Sequence, residues 1–351
     1  MMAWSRRAVL VAAAASCLGL ASASCGGSHG GTYTTVTAGA TPGTNGAIDP
    51  LPSWNTGPTK KRILDFVTAA TNEGSASFVK LEDRMATFDN DGTLWPEKPV
   101  VEGVFVLDRA AAMVQRDPSL REKQPFSSML PADRPNIERD GKAAFLELFV
   151  ATHTGMTDEA FAEEARSFLK TARHPRFGVP YTDLAYQPMV ELLRYLRQNG
   201  FTTYVCSGGD TDFMRQFTPQ MYGIPPQQVI GSTVQKSFVM ENGRSGLFRK
   251  SALASLNDKD QKPVNIDRQI GKRPLVAAGN VRSAGDVAML EYSGSRPPPS
   301  LGIVITHDDA EREFAYEEPD NATRTAAREH GFLLVSMKKD WARVFGPSVT
   351  R

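Results

Sequence analysis

Apolar and polar positions along the chain follow two rhythms, and the changes between them mark out most of the elements. Short apolar runs with the length of buried strands occur at Met85-Ala86-Thr87-Phe88, Phe201 to Cys206, Pro274 to Ala278 and Leu301 to Thr306, with a later one at Gly331 to Ser336. The first four run straight into polar clusters: Asp89-Asn90-Asp91-Gly92-Thr93, Ser207-Gly208-Gly209, Gly279-Asn280 and His307-Asp308. Helical spacing dominates residues 96–200, in Val101 to Arg116, Lys142 to His153 and Thr157 to Ala172, with Thr157 as N-cap before an acidic first turn. Met189 to Gln198 is a further helix, closed by Asn199-Gly200, and an amphipathic helix after the N-cap Thr59 opens the body. Strands alternating with helices predict an α/β fold with a doubly wound parallel sheet. Ligands of such sheets sit beyond the carboxyl ends of the strands, where the polar clusters fall. No internal repeat is visible.

The first 58 residues have neither rhythm. Arg6 and Arg7 precede an apolar stretch, Ala8 to Leu20, which is too short and Ala-rich to span a membrane comfortably, followed by small residues and Cys25. Residues 1–24 therefore read as an export signal, and Ser5-Arg6-Arg7 also fits a twin-arginine signal. Ser22-Ala23-Ser24-Cys25 resembles a lipobox, with Ser22 where Leu is usual. Two outcomes are open: a membrane lipoprotein facing outward, anchored through Cys25, or cleavage after Ala23 and secretion. Residues 25–58, rich in Gly, Thr, Ser and Pro, read as a flexible tether.

Composition narrows the picture only a little. Of 351 residues 40 are Lys or Arg and 39 are acidic, with no basic run, which gives no electrostatic basis for a nucleic-acid partner. Of the three cysteines only Cys206 lies in the body, so no intrachain disulfide braces the mature fold. The five histidines show no zinc spacing. Oligomeric state is not legible.

Asp89-Asn90-Asp91-Gly92-Thr93 is the sharpest chemical signal. Two carboxylates two residues apart just past a strand can share one site and divide the work: one attacks phosphorus while the other handles the leaving group's proton. Gly92 permits the tight turn that aims them. A calcium loop would need further ligands at Thr93 and at the loop end, and the sequence supplies none.

With the other clusters in view, the chain resembles the haloacid dehalogenase superfamily over about residues 60–345. Asp89 to Leu94 is similar to its first motif in the phosphatase form, where Asp91 is the distinguishing residue. Ser207-Gly208-Gly209 resembles the second motif as found in phosphoserine phosphatases, Lys262-Pro263 the third, and Gly279-Asn280 with Gly285-Asp286 the fourth. The resemblance implies a Rossmann-like core of residues 59–95 and 201–351, with residues 96–200 inserted as a helical cap. It also implies a small phosphorylated substrate, an aspartyl-phosphate on Asp89, and Asp91 as acid and then base. Ser207, Gly208 and Lys262 would hold the phosphate. Mg2+ would be held by Asp89, Asp91, Asn280 and Asp286, with Asn280 in direct contact. Ser207 acting only as a helix N-cap, or Lys259 in place of Lys262, are the competing assignments. The fourth motif is two residues longer than the Gly-Asn-Ser-Asp-Gly-Asp pattern and places Arg282 in the loop. Transfer of the phosphoryl group to an alcohol, or ligand binding by a catalytically weak surface lipoprotein, are the rival functions. Trp95, Glu97, Lys98, His153 and Arg176 are left unassigned.

Overall fold

The computed structural model describes residues 49–129, 134–241, 243–282, 285–297 and 299–349; of these, residues 128–129 and 134–142 are described by their backbone alone. The predicted signal, Cys25 and most of the tether lie outside the described residues, as do Ser283 and Ala284 of the long fourth-motif loop. Among the described residues no helix is long and apolar enough to cross a membrane.

Seven strands form one sheet: β1 (Met85–Phe88), β2 (Thr202–Asp210), β3 (Val229–Glu241), β4 (Arg244–Ser255), β5 (Val276–Asn280), β6 (Leu301–Thr306) and β7 (Leu333–Ser336). Their order is β4-β3-β2-β1-β5-β6-β7, parallel throughout except for β4, which runs antiparallel to β3. The chain winds outward from β1 in one direction, then restarts at β5 on the other side of it. The crevice between the carboxyl ends of β1 and β5 is the switch point where such folds bind ligands.

Alternation along the strands serves both faces at once, as a sheet covered on both sides requires. Ala278, Ile303 and Ile305 pack with α1 (Pro58–Thr71) and, further on, α5 (Gln187–Gln198). Ala277 and Val304 pack instead with Ile266, Met289, Leu290 and Ala327. These last come from α8 (Gln261–Ile270), α9 (Val287–Gly294) and α10 (Ala322–His330). In α1 the spacing Ile63, Val67, Ala70 buries one stripe, about 1.5–3 kcal/mol for each large side chain. The helix starts at Pro58 in its first turn, with Gly57 in the cap position two residues earlier than the predicted cap Thr59. The ordered fold also begins earlier than the predicted tether end. Leu51 and Trp54 are buried, and Trp54 donates through Nε1 to Pro188 O at 2.9 Å, so a few apolar residues anchor this Pro- and Gly-rich stretch.

Between β1 and β2 lie α2 (Val101–Arg116), α3 (Arg134–His153), α4 (Asp158–Thr171) and then α5. Thr157 caps α4, its Oγ1 accepting from Ala160 N at 3.3 Å. The helix α5 packs on the sheet, while α2 and α3 build a small core of their own from Val106, Ala110, Leu148 and Phe149. Val234 of β3 completes that core. The β3–β4 hairpin, which the apolar pattern does not announce, therefore belongs with the inserted helices as much as with the sheet. Two short helices, α6 (Thr211–Met214) and α7 (Thr218–Tyr222), precede it, and α11 (Met337–Asp340) follows β7.

An ionic hub joins hairpin, insertion and core. Arg249 of β4, fully buried, donates to Asp210 Oδ2 at 2.8 Å, to His153 O at 2.5 Å and to Asp212, and lies 3.4 Å from Asp158. Lys236 of β3 donates to Asp158 at 2.7 Å and Asp212 at 2.6 Å.

Candidate active site

The strand β1 delivers Asp89 to the switch point, where its N–H donates to Ala278 O of β5 at 2.8 Å. The chain then turns sharply: Leu94 N donates to Asn90 O and Gly92 N to Trp95 O, both at 2.8 Å. Gly92 has a φ of 74°, and a Cβ there would stand 2.8 Å from Asn280 Nδ2, so both backbone and space demand glycine. The turn is braced from outside. Tyr222 donates to Asn90 Oδ1 at 3.0 Å, and His307 Nε2 donates to Gly92 O at 2.8 Å. His307 is held by Glu313 and by stacking on Tyr316 at 4.1 Å. It is thus more than the ordinary strand-end residue its sequence position suggests.

At the centre one cation faces two carboxylates. Lys262, near the start of α8, lies 2.7 Å from Asp89 Oδ1 and 2.5 Å from Asp286 Oδ1. A single ammonium cannot neutralise both. Burial, with the charge of Asp286, pushes Asp89 up to about 8 against the pull of Lys262. Burial works against the Lys262 charge, but Asp286 and Asp89 outweigh it and raise its pKa. Asp286 uses its other oxygen to accept from Asn280 N at 3.0 Å, and a Cβ on Gly279 would meet it at 2.5 Å. Its side chain is therefore turned into the site and does not cap α9.

Asp91 is half-buried on the cleft wall. Its Oδ1 accepts from Trp95 Nε1 at 2.8 Å, and the indole is held by stacking on Phe217 at 4.5 Å. Burial pushes Asp91 up to about 6, partly offset by the Trp95 hydrogen bond, so the group can carry a proton in mildly acidic water.

The second motif occupies the end of β2, where its register with β3 slips. The carbonyl of Ser207 accepts from Asn257 Nδ2 at 2.8 Å and that of Gly208 from Ser232 Oγ at 2.7 Å, which fixes the backbone of both residues. Glu102 of α2 closes the other side. It accepts from Asp210 N at 2.9 Å and lies 3.2 Å from His153 Nε2. An acid set in the apolar run opening α2 was its only signal in the sequence.

All seven predicted site residues, Asp89, Asp91, Ser207, Gly208, Lys262, Asn280 and Asp286, line one cleft of about 570 Å³. Lys259 lines it too, but from its exposed rim. Of the unassigned residues, Trp95 and Glu97 belong to the site, and Glu97 pairs with Arg282. His153 is buried behind Glu102, Lys98 lies over the Tyr316 ring, and Arg176 bonds to Ala310 O and Glu311 O. Cys206 is buried, with its thiol pushed up to about 11 by burial, so it is not a reactive group.

Among the described residues no three His, Cys, Asp or Glu side chains converge as a metal cluster. The oxygens that converge are of mixed kind. Asn280 Nδ2 lies 2.7 Å from Asp91 O, 3.3 Å from Thr93 Oγ1 and 3.4 Å from Asp89 Oδ2, while Asn280 Oδ1 is buried without a partner. Amide nitrogen and oxygen are exchangeable by a half-turn. With the amide reversed, a carbonyl, a carboxylate, a hydroxyl and an amide oxygen would face one another, which suits a hard cation of oxygen preference. The residues present fit magnesium.

Residues 86–291 match the model of the haloacid dehalogenase-like hydrolases, more than half of the chain, and the chain belongs to that family. A conserved protein of unknown function from Anaerococcus prevotii shares the fold. Its TM-score is 0.50 at 14% identity, over 79% of this chain and 91% of that one. A phosphoserine phosphohydrolase-like protein from Francisella tularensis gives a TM-score of 0.36 at 14% identity, covering 70% of this chain and 99% of that one. A probable phosphoserine phosphatase from Vibrio cholerae gives 0.35 at 13%, covering 73% and 67%. Neither likeness is close enough to inform the substrate. No curated protein sequence matches the chain.

Proposed function

We propose that the protein is a magnesium-dependent phosphomonoesterase acting on a small phosphorylated metabolite outside the cytoplasmic membrane. One observation carries the chemistry: Asp89, Asp91 and Lys262 meet at the switch point of the sheet, on one cleft with Ser207 and Gly208. Asp89 attacks phosphorus; the bond from phosphorus to the leaving oxygen breaks as Asp91 gives that oxygen its proton. Asp91, now a carboxylate, takes a proton from water, which attacks the aspartyl-phosphate and releases phosphate with Asp89 restored. Lys262, Ser207 and the Gly208 amide hold the phosphoryl oxygens, and each such donor contributes roughly 3 kcal/mol to lowering the barrier. Asp89, the Asp91 carbonyl and Asn280 Oδ1 would hold magnesium, with Asp286 bracing Asn280. When bound, magnesium supplies the positive charge that lets an anionic nucleophile approach an anionic phosphate. Trp95 keeps the Asp91 carboxyl aimed at the leaving group.

The location rests on the N-terminal signal and Cys25 alone. The test of the chemistry is release of phosphate from an aryl phosphate with added magnesium, comparing the protein with Asp89→Asn. Loss of turnover in a folded variant is the expected result. Retention of more than a small residue of activity would remove Asp89 from its role.

A further inference from the structure

The cleft is larger than a phosphoryl group needs. Its volume of about 570 Å³ falls in the range of roughly 300–1,000 Å³ typical of sites for whole organic ligands. The nucleophile, Lys262 and the second motif account for one part of the lining. Much of the rest is apolar: Val100 ahead of α2, Phe145 and Leu146 of α3, and Leu256 after β4. Phe145 is 40% exposed, and the other three are half-buried.

This is surplus apolar surface. The helix α3 already fills the core of the insertion with Leu148 and Phe149, and Phe149 is further fixed by stacking on His153 at 4.1 Å. Phe145 and Leu146 form a second apolar patch on the same helix that this core does not consume. The nearby carboxylates are engaged: Glu97 pairs with Arg282, and Glu102 accepts from Asp210 N and meets His153. Lys259 offers a cation only at the exposed rim, so the ammonium of a zwitterionic leaving group would have to break one of these pairs or lose water against Phe145 and Leu146 without compensation.

We propose that the substrate's leaving alcohol carries an aromatic ring, which lies against the wall formed by Val100, Phe145, Leu146 and Leu256. The proposal rests on the phosphomonoesterase reading and goes beyond it by excluding small charged alcohols such as serine as the preferred leaving group. A ring on this wall is stabilised by apolar burial and by edge or offset contact with Phe145.

Binding tests the wall without turnover. With magnesium present, benzylphosphonate is expected to bind about tenfold more tightly than methylphosphonate by calorimetry. Phe145→Ala should remove most of that advantage and leave methylphosphonate binding unchanged. In turnover, 2-phenylethyl phosphate should exceed glycerol 1-phosphate and O-phosphoserine in kcat/KM, mainly through KM. Equal binding of the two phosphonates would overturn the proposal. So would a Phe145→Ala variant weakened equally for both, which would make the patch a contact surface between insertion and core. If the phosphonates differ as expected but no ester is hydrolysed, the phosphatase reading fails and the wall stands. Hydrolysis without preference for the ring overturns the wall alone.

Discussion

Replacing Lys262 by Met removes the one ammonium between two buried carboxylates while keeping the length of the side chain. Asp89 and Asp286 lie 2.7 and 2.5 Å from the Lys262 nitrogen, so the variant leaves two acids facing each other with no cation between them. Breaking a buried pair by removing one partner costs about 3–5 kcal/mol. At about 2 °C per kcal/mol for a domain of this size, Tm should fall by roughly 6–10 °C near neutral pH. The loss should depend on pH with a definite sign. Asp89 is already raised from 3.8 to about 8 by burial and Asp286, and without Lys262 it rises further. A carboxyl whose folded pKa is raised contributes stability that is present below its unfolded value and is lost as pH rises towards the folded one. Below about pH 8 Asp89 carries its proton in parent and variant alike, so the gap between them should stay level there and widen as pH rises from about 8 towards about 9. Metal-free protein followed by thermal unfolding in chelator gives the comparison. Adding Asp286→Asn to Lys262→Met should recover part of the loss at about pH 8. A Lys262→Met variant as stable as the parent at about pH 8, or a gap that does not widen above it, would refute the reasoning.

Asn280→Asp should lower the magnesium concentration that supports activity, and Asn280→Ala should raise it more than Asp286→Asn does; magnesium titrations of the three decide the order. Lys236 and Arg249 hold the Asp212 carboxyl below its ordinary range although burial opposes them, so its contribution is present above about pH 4 and lost as pH falls further. Asp212→Asn should flatten the acid limb of stability, measured by urea unfolding between about pH 3 and pH 5. If Cys25 carries a lipid, Cys25→Ala should release the protein from membranes in cell fractionation; unchanged membrane association would rule out a lipid anchor there.

The parts of this molecule that were legible in the sequence are those whose signal is local. The bounds of β1 and β6 follow from unbroken apolar runs between polar ends, and Asp89 and Asp91 announce themselves because both stand within one turn. The β3–β4 hairpin was missed because its pattern is inverted. Arg249 and Lys236 turn inward to acids, while Phe238, Met240 and Leu247 are exposed. The choice between Lys259 and Lys262 needed the start of α8, whose first turn aims Lys262 at Asp89 and leaves Lys259 at the rim. Trp95, Glu102, Asn257 and His307 act through partners distant in sequence or through a turn whose shape no spacing rule supplies.

The buried hub at Arg249 bears on how this cleft could be re-engineered. A chimera carrying another relative's residues 96–186, which stop short of α5, would keep Arg249 and Lys236 but replace the Asp158 carboxylate they face and the turn that presents the His153 carbonyl to Arg249. It would also strand Val234 against a foreign helix pair. The transplantable unit is therefore two stretches of chain, the inserted helices and the hairpin between β2 and α8. Their exchange has to be made together for the graft to keep its charges paired.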